Sequence, residues 1–249
     1  MKKESDLIKA VPNDGRQRKL PVLLRQTKDS TISILLAHLE NLFSACDDLF
    51  FDLSSRSVSN TEQNLYFESM REIRLQKEGV IAAFRAEIEG GFHDLLANVT
   101  PQKKPTDNDG QNSSLSLVKN DVLEQDVAVT SMVNKARINC QESLYHLNLR
   151  LDYLLPGITV TEKNNPLDPH QICHYFADAC QCLDLNIKAR IIVLKQFDRL
   201  VVSTLTTVYT AANAVLIEAG ILPDTREYAK SKSGGKIQAP PPAPDKVSS

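Results

Sequence analysis

Apolar side chains recur at helical spacing along most of the chain, and most densely between Ile187 and Gly220. Residues three, four or seven apart form one stripe, which neighbouring apolar positions widen. The stripe positions are Ile187, Ile191, Leu194, Val201, Leu205, Val208, Ala212, Val215 and Ala219. The pattern predicts one helix of roughly 50 Å that ends at a left-handed Gly220. Because a helix apolar on most sides must be covered on most sides, we expect it to be the central helix of a bundle.

Two long helices are predicted in the first part of the chain. The first should begin near Asp29 or Ser30, either of which can cap its amides, and end around Ser54 to Ser57. The second should begin at Ser59, which forms a capping-box pattern with Glu62. Because the connection between them is short, we expect an antiparallel hairpin.

Further signals place a helix crossing and two more helices. Gly90 and Gly91 interrupt the second helical pattern, which indicates either a kink or a close crossing by another helix. Helical spacing resumes over residues 121–154 and predicts a third long helix. Asp168 followed by Pro169 is typical of an N-cap with proline at the first helical position, and predicts a shorter helix there.

Together these elements predict an all-α fold, a bundle of about five helices of which four are long. The helical domain should span residues 29–227, with a mobile polar loop at about 99–117. Residues 1–28 are predicted to be a disordered basic arm, with eight Lys or Arg against three acids. Residues 228–249 are predicted to be a disordered Pro-rich tail or linker.

Composition indicates the class of protein and its cellular compartment. The chain of 249 residues is 42% hydrophobic and 24% charged, an ordinary globular balance. Its five cysteines form no disulfide framework and favour a reducing compartment, so we expect a cytoplasmic protein. The basic arm lacks aromatic residues and any reading motif, so no nucleic-acid partner is predicted.

The segment from Leu200 to Ile217 contains no charged residue and approaches the length of a membrane span. Threonine, serine and asparagine side chains lie within it, and charged residues flank it closely. We therefore expect a buried helix or a helix–helix interface, and no membrane span.

No catalytic or metal-binding pattern stands out. Five potential ligands lie close together in sequence: His170, Cys173, His174, Cys180 and Cys182. They contain no CxxC pair, and Cys182 should point away from the face that Cys173 and Cys180 share, so no metal or other cofactor is predicted. The sequence also lacks GxSxG, GxGxxG and Walker patterns, and we do not expect an enzyme.

Charged residues beside dense apolar surface form the candidate site. Arg71 and Arg74 belong to the second helix, and Arg190, Asp198 and Arg199 to the central helix. Because burying an unpaired charge is costly, we expect cross-helix ion pairs, most simply Asp198 with Arg71 or Arg74. The alternative is an anion or nucleotide pocket lined by the four arginines.

Several stretches, most specifically NLYFESMREIR and KQFDR, resemble the N-terminal part of the proteobacterial domain-of-unknown-function 1631 family. The resemblance covers about residues 30–227. It implies a longer protein with further helical regions and, in some members, a cyclic-di-GMP-binding PilZ-type domain outside these residues. Some members are labelled thymidine phosphorylase, but no phosphate or pyrimidine motif supports that label here.

These observations favour a non-enzymatic helical scaffold or protein-interaction module of a larger bacterial regulatory protein. The resemblance adds a link to cyclic-di-GMP signalling through regions outside the chain. The predicted partner is another protein, the remaining domains of the same protein, or a second copy of the chain. The alternative from another class is a small-anion or nucleotide-sensing domain that uses the arginine-lined pocket.

Overall fold

The computed structural model describes residues 20–97, 115–226 and 228–229, and within them the fold is an all-α bundle without strands. The α-helices are α1 Val22–Arg56, α2 Asn60–Ala97, α3 Leu115–Asn139, α4 Gln141–Leu154, α5 Pro169–Ala179, α6 Ile187–Leu200 and α7 Leu205–Glu218. The predicted fold class is therefore confirmed. The predicted arm before residue 20, most of the loop at 99–117 and nearly all of the tail lie outside the described residues.

Helices α1 and α2 form the predicted antiparallel hairpin. The backbone N–H of Glu62 donates to the Ser59 hydroxyl at 3.1 Å, which confirms the predicted cap. Three ion pairs between described residues join the two helices. Residues later in α1 pair with residues earlier in α2, as antiparallel packing requires. These pairs are Lys28 with Glu89, Glu40 with Lys77 and Asp47 with Arg74.

Helix α1 begins earlier than the sequence pattern predicts. It starts at Val22, whereas the pattern predicts a start near Asp29 or Ser30 and a flexible arm through residue 28. Both predictions are wrong for residues 22–28, which are helical.

The reason lies in side chains that the apolar pattern does not count. Pro21 precedes the first helical residue, where its missing N–H costs no hydrogen bond. Leu24 is fully buried and extends the stripe backwards. Thr27 and Thr31 are also buried, and their hydroxyls tolerate burial because each donates to a carbonyl one turn earlier at 2.9 Å.

The predicted third long helix is divided in two, so a single helix over residues 121–154 is wrong. Helix α3 ends before Cys140, whose φ of −114° and ψ of 16° lie outside the helical region. The Cys140 thiol donates to the Ala136 carbonyl at 2.7 Å, and the Ser143 hydroxyl donates to the Cys140 carbonyl at 3.1 Å. Such local bonds compete with the helix ladder and bend it.

The predicted central helix is also divided. Val201 has a φ of −115°, and a 3₁₀ turn at Val202–Thr204 separates α6 from α7. The Ser203 and Thr204 hydroxyls donate to the carbonyls of Arg199 and Val201 at 2.6 and 2.7 Å, so the break has the same kind of cause. The prediction of one continuous helix is therefore wrong.

Both ends of this segment follow the sequence signals. Asn186 caps α6 by accepting from the Lys188 N–H at 2.9 Å. Gly220 has a φ of +79°, the left-handed conformation predicted for it, and its N–H donates to the Ile217 carbonyl at 2.8 Å.

The core draws on every helix, and three of its aromatic rings cluster where α2, α5 and α6 meet. Phe176 and Phe197 stack with ring centroids 3.9 Å apart, and Phe84 meets both rings edge-on at 6.2 Å. Next to this cluster, Gly91 of α2 lies so close to α5 that an added Cβ would be 2.3 Å from the Tyr175 hydroxyl. The close crossing predicted at the glycine pair is confirmed at Gly91.

Helices α6 and α7 contact α1, α3 and α4. However, the other helices that the structure describes do not cover the outer side of α7. Its outer side exposes uncharged residues, namely Thr206, Thr207, Thr210 and Ala214. By length and composition, Ile187–Glu218 could cross a membrane, and 44% of its most apolar window is buried. A core helix of a soluble protein meets the same criterion, so this finding is weak evidence for a span.

Candidate interaction surface

The arginines named from the sequence occupy different environments. Arg74 forms a two-pronged pair with Asp47 of α1, with its Nη2 2.7 Å from Oδ2. This hydrogen bond and the charge of Asp47 raise the pKa of Arg74. Arg71 and Arg199 are exposed. Arg74 thus belongs to the α1–α2 hairpin and not to a site shared with the other arginines.

Asp198 pairs with Lys135 of α3, whose Nζ lies 2.8 Å from its carboxylate. The predicted pairing of Asp198 with Arg71 or Arg74 is therefore wrong. The pairing depends on which helix packs beside α6 at that level, and sequence spacing within α6 carries no information about its neighbour.

Arg190 serves as a cap for backbone carbonyls. Its guanidinium donates to the carbonyls of Leu183 at 3.0 Å and Cys180 at 3.4 Å. It also lines a cavity of about 10 Å³ between α3, α5 and α6, which is about the volume needed for one water molecule. Neither Arg71, Arg74 nor Arg199 lines this cavity, so its geometry gives the anion-pocket alternative no support.

The cysteines and histidines of α5 do not form a metal cluster. In the described part of the chain, no three His, Cys, Asp or Glu side chains come close enough to hold a metal ion. Burial raises the pKa of Cys173 to about 12, and the charges of Asp198 and Asp168 add to the effect. A buried thiol of this kind is a poor nucleophile.

A buried ion pair that sequence reasoning missed fixes the connector before α5. Asp168 is 1% exposed and caps α5 as predicted, accepting from the His170 N–H at 2.8 Å. It also accepts from Arg137 of α3 at 2.9 Å, and Arg137 contacts Glu162 at the same distance. Burial raises the pKa of Asp168, although Arg137 and the His170 N–H act against this.

A second missed feature is Arg150, which is only 5% exposed in α4. Its Nη1 donates to the Asn213 side chain of α7 at 2.6 Å, whereas its Nε has no hydrogen-bond partner. The Asn213 amide donates in turn to the carbonyls of Ser143 and Tyr209. Burial lowers the pKa of Arg150. These polar contacts hold α4 against α7, and we assign them a structural role.

A row of exposed apolar side chains lies on the outer side of α3 and α4. We define the α3–α4 face as Leu123, Val127, Ile138 and Tyr145, which are 61%, 61%, 76% and 51% exposed. Leu123, Val127 and Ile138 are separated by four and eleven residues, close to whole helical turns, so they point to one side of α3. The backbone bonds from Cys140 to Ala136 and from Leu144 to Cys140, both 2.9 Å, continue the helical pattern through the break and keep Tyr145, seven residues after Ile138, on about the same side. One exposed apolar residue is ordinary on a protein surface, but four in helical register form a stripe.

This stripe is poor in charge. The exposed positions between Val127 and Tyr145 are Thr130, Ser131, Asn134, Lys135, Ile138, Asn139, Gln141 and Glu142. Of these only Lys135 and Glu142 are charged, and Lys135 already pairs with Asp198. Depletion of charge beside exposed aromatic and aliphatic groups is typical of the centre of a protein–protein interface.

Another exposed apolar residue shows the contrast. Leu75 of α2 is 66% exposed, but its near neighbours are Arg71, Glu72, Arg74 and Glu78. These charged neighbours make a dry interface there costly. The α3–α4 face is thus the better candidate, and a second apolar stripe opposite the core stripe of α3 was the sequence signal for it.

The fold defines the protein as an all-α helical domain. It belongs to the family described as "Protein of unknown function (DUF1631) N-terminal domain", whose family profile matches residues 19–220. The match extends from just before α1 to the left-handed Gly220 after α7, and confirms the family resemblance of the sequence. No curated protein and no solved structure matches the chain.

Proposed function

We propose that this domain is a non-enzymatic protein-interaction module, a helical scaffold within a larger cytoplasmic regulatory protein of bacteria. Its binding surface is the α3–α4 face, and the occupant is an α-helix of a protein partner. The observation that carries the proposal is the register of four exposed apolar side chains, with Lys135 paired to Asp198 and acidic side chains confined to the borders of the face.

The shape of the face favours a helix as the occupant. Within α3 the stripe runs from Leu123 to Ile138, roughly 23 Å at 1.5 Å per residue, and Tyr145 extends it into α4 beyond the break at Cys140. A partner helix can pack along such a stripe at an interaxial distance of about 8–10 Å. A globular ligand would cover only part of it.

Burial of this stripe is large enough to support binding. Fully burying one large apolar side chain contributes about 1.5–3 kcal/mol. Because these side chains are already about one quarter to one half covered, we expect about 1–2 kcal/mol from each, or about 4–8 kcal/mol in total. Ordering and association costs reduce this gain, which fits a reversible regulatory contact.

The test places a photo-crosslinking amino acid at Ile138 of the full-length protein in its own cells. The matched control places it at Leu75, an apolar residue of similar exposure on α2. We expect Ile138 to give a crosslink to a helical segment of another protein, and this crosslink should disappear when Val127→Glu is added. Leu75 should not give that product.

Two results would contradict the proposal. Identical products from Ile138 and Leu75 would mean that the α3–α4 face has no selective partner. If Ile138 crosslinks only to a second copy of the chain, the α3–α4 face serves self-association and not partner binding.

A further inference from the structure

From the charges that border the α3–α4 face, we infer that its partner helix carries Lys or Arg along the edges of its apolar stripe. This inference rests on the proposed function, because it specifies the occupant of the same surface.

The acidic groups lie at the borders of the face. At 100° per residue, Glu124 and Glu142 both fall about 60° to one side of Val127, and Asp126 falls about 100° to the other side. All three residues are exposed. The Glu142 side chain is 92% exposed, and its carboxylate lies 3.9 Å from Nε2 of the His146 ring.

The two basic groups between Leu123 and Tyr145 are engaged inside the domain. Lys135 lies on the Glu124 side of the face, but its ammonium pairs with Asp198 of α6. Arg137 pairs with Glu162 and the buried Asp168. The net charge that a ligand meets along the borders is therefore negative.

This arrangement distinguishes between partner helices. A helix with Lys or Arg beside its apolar stripe gains Coulomb attraction at both borders and is steered towards the face. A helix with acidic flanks meets repulsion at the same positions. Because the pairs would be at the rim, they contribute to selectivity and association rate more than to total affinity.

The experiment selects helical peptides from a display library in which the apolar stripe is fixed and the flanking positions are random. Four versions of the 249-residue chain serve as targets, each first shown by circular dichroism to be folded. They are the native chain, Ile138→Glu, the border variant Glu124→Gln/Asp126→Asn/Glu142→Gln, and the control variant Asp48→Asn/Glu68→Gln/Glu78→Gln. The control removes three exposed acids from α1 and α2.

We expect the native chain and the control variant to enrich peptides with Lys or Arg at the flanking positions. The border variant should still bind the apolar stripe without preference for basic flanks. A peptide selected on the native chain should bind the border variant about three- to 140-fold more weakly, from three rim pairs of about 0.2–1 kcal/mol each. The same peptide should lose affinity as salt is raised.

The possible failures separate the inference from the proposed function. Neutral or acidic flanks selected by the native chain, but not by Ile138→Glu, would overturn the basic partner and leave the interaction surface in place. Equal selection by the native chain and Ile138→Glu would overturn both.

Discussion

Adding one methyl group to α2 tests how closely this helix crosses α5. Gly90 and Gly91 are adjacent, but an added Cβ meets nothing within 4 Å at Gly90. At Gly91 it would lie 2.3 Å from the Tyr175 hydroxyl oxygen and 2.9 Å from Cβ of Pro166. Because both residues are helical, Gly90→Ala is a matched control for Gly91→Ala.

The magnitudes follow from two effects. Either substitution gains about 1 kcal/mol of helix propensity. Only Gly91→Ala adds a clash, and overpacking a well-packed site costs about 1–3 kcal/mol. We therefore expect Gly90→Ala to stabilise the protein by about 1 kcal/mol, and Gly91→Ala to be about 1–3 kcal/mol less stable than Gly90→Ala.

Urea unfolding followed by circular dichroism measures this difference, and thermal unfolding should show it as a gap of about 2–4 °C per kcal/mol. Adding Tyr175→Phe should recover part of the loss in Gly91→Ala, since it removes the closest contact but leaves Pro166. Equal stability of the two alanine variants would refute the close crossing. So would a loss that Tyr175→Phe does not change, provided that Tyr175→Phe alone is folded.

Three other predictions concern buried polar groups and thiols. Asn213→Ala should destabilise the fold by about 1.5–3 kcal/mol, because it leaves the Arg150 guanidinium without its acceptor. In urea unfolding, the double variant Arg150→Met/Asn213→Leu should be more stable than Asn213→Ala, since it removes the buried charge together with its partner. The opposite order of stability would contradict the structural role of the Arg150–Asn213 hydrogen bond. Burial raises the pKa of Asp168 above its usual 3.8, so its contribution to stability should fall as pH rises from that value through the raised pKa. Asp168→Asn should remove this decrease in a pH series of urea unfolding, and an unchanged slope would show that Asp168 is not its source. Cys182 should be the only thiol that reacts rapidly with a disulfide reagent in the folded protein, and Cys182→Ser should abolish that rapid phase unless a buried thiol is accessible. The buried thiols are Cys46, Cys140, Cys173 and Cys180.

Local signals predicted the helix ends well, because capping depends on residues near one another in sequence. The Ser59 cap, the Asp168 cap and the left-handed Gly220 all occur as predicted. The breaks at Cys140 and Val201 were missed. They arise where thiol or hydroxyl groups bond to nearby carbonyls, and an apolar period of 3.6 residues does not register such bonds.

The ion pairs were predicted poorly for a different reason. The cost of burying a charge correctly implied that Asp198 needs a partner, but not which helix supplies it. Lys135 is 63 residues away in sequence, and the pair exists because α3 packs on α6. Arg150 was missed because its partner Asn213 is equally distant along the chain.

The α3–α4 face raises the question whether its apolar side chains stabilise the domain or serve binding alone. Ile138 is 76% exposed, so its removal loses little buried area, and glutamate has the higher helix propensity. Ile138→Glu should therefore change the free energy of unfolding by less than about 0.5 kcal/mol, as is usual for surface substitutions. Val133→Glu on the same helix is the contrast, because Val133 is 5% exposed and an unpaired carboxylate there is strongly destabilising.

Urea unfolding of both variants separates the two roles. If Ile138→Glu retains native stability and loses the selected peptides, the side chain contributes to binding without contributing to folding. A loss above about 1 kcal/mol in Ile138→Glu would exceed what a free surface position can show. The side chain would then be part of the domain's own packing, and the α3–α4 face could not be the binding surface.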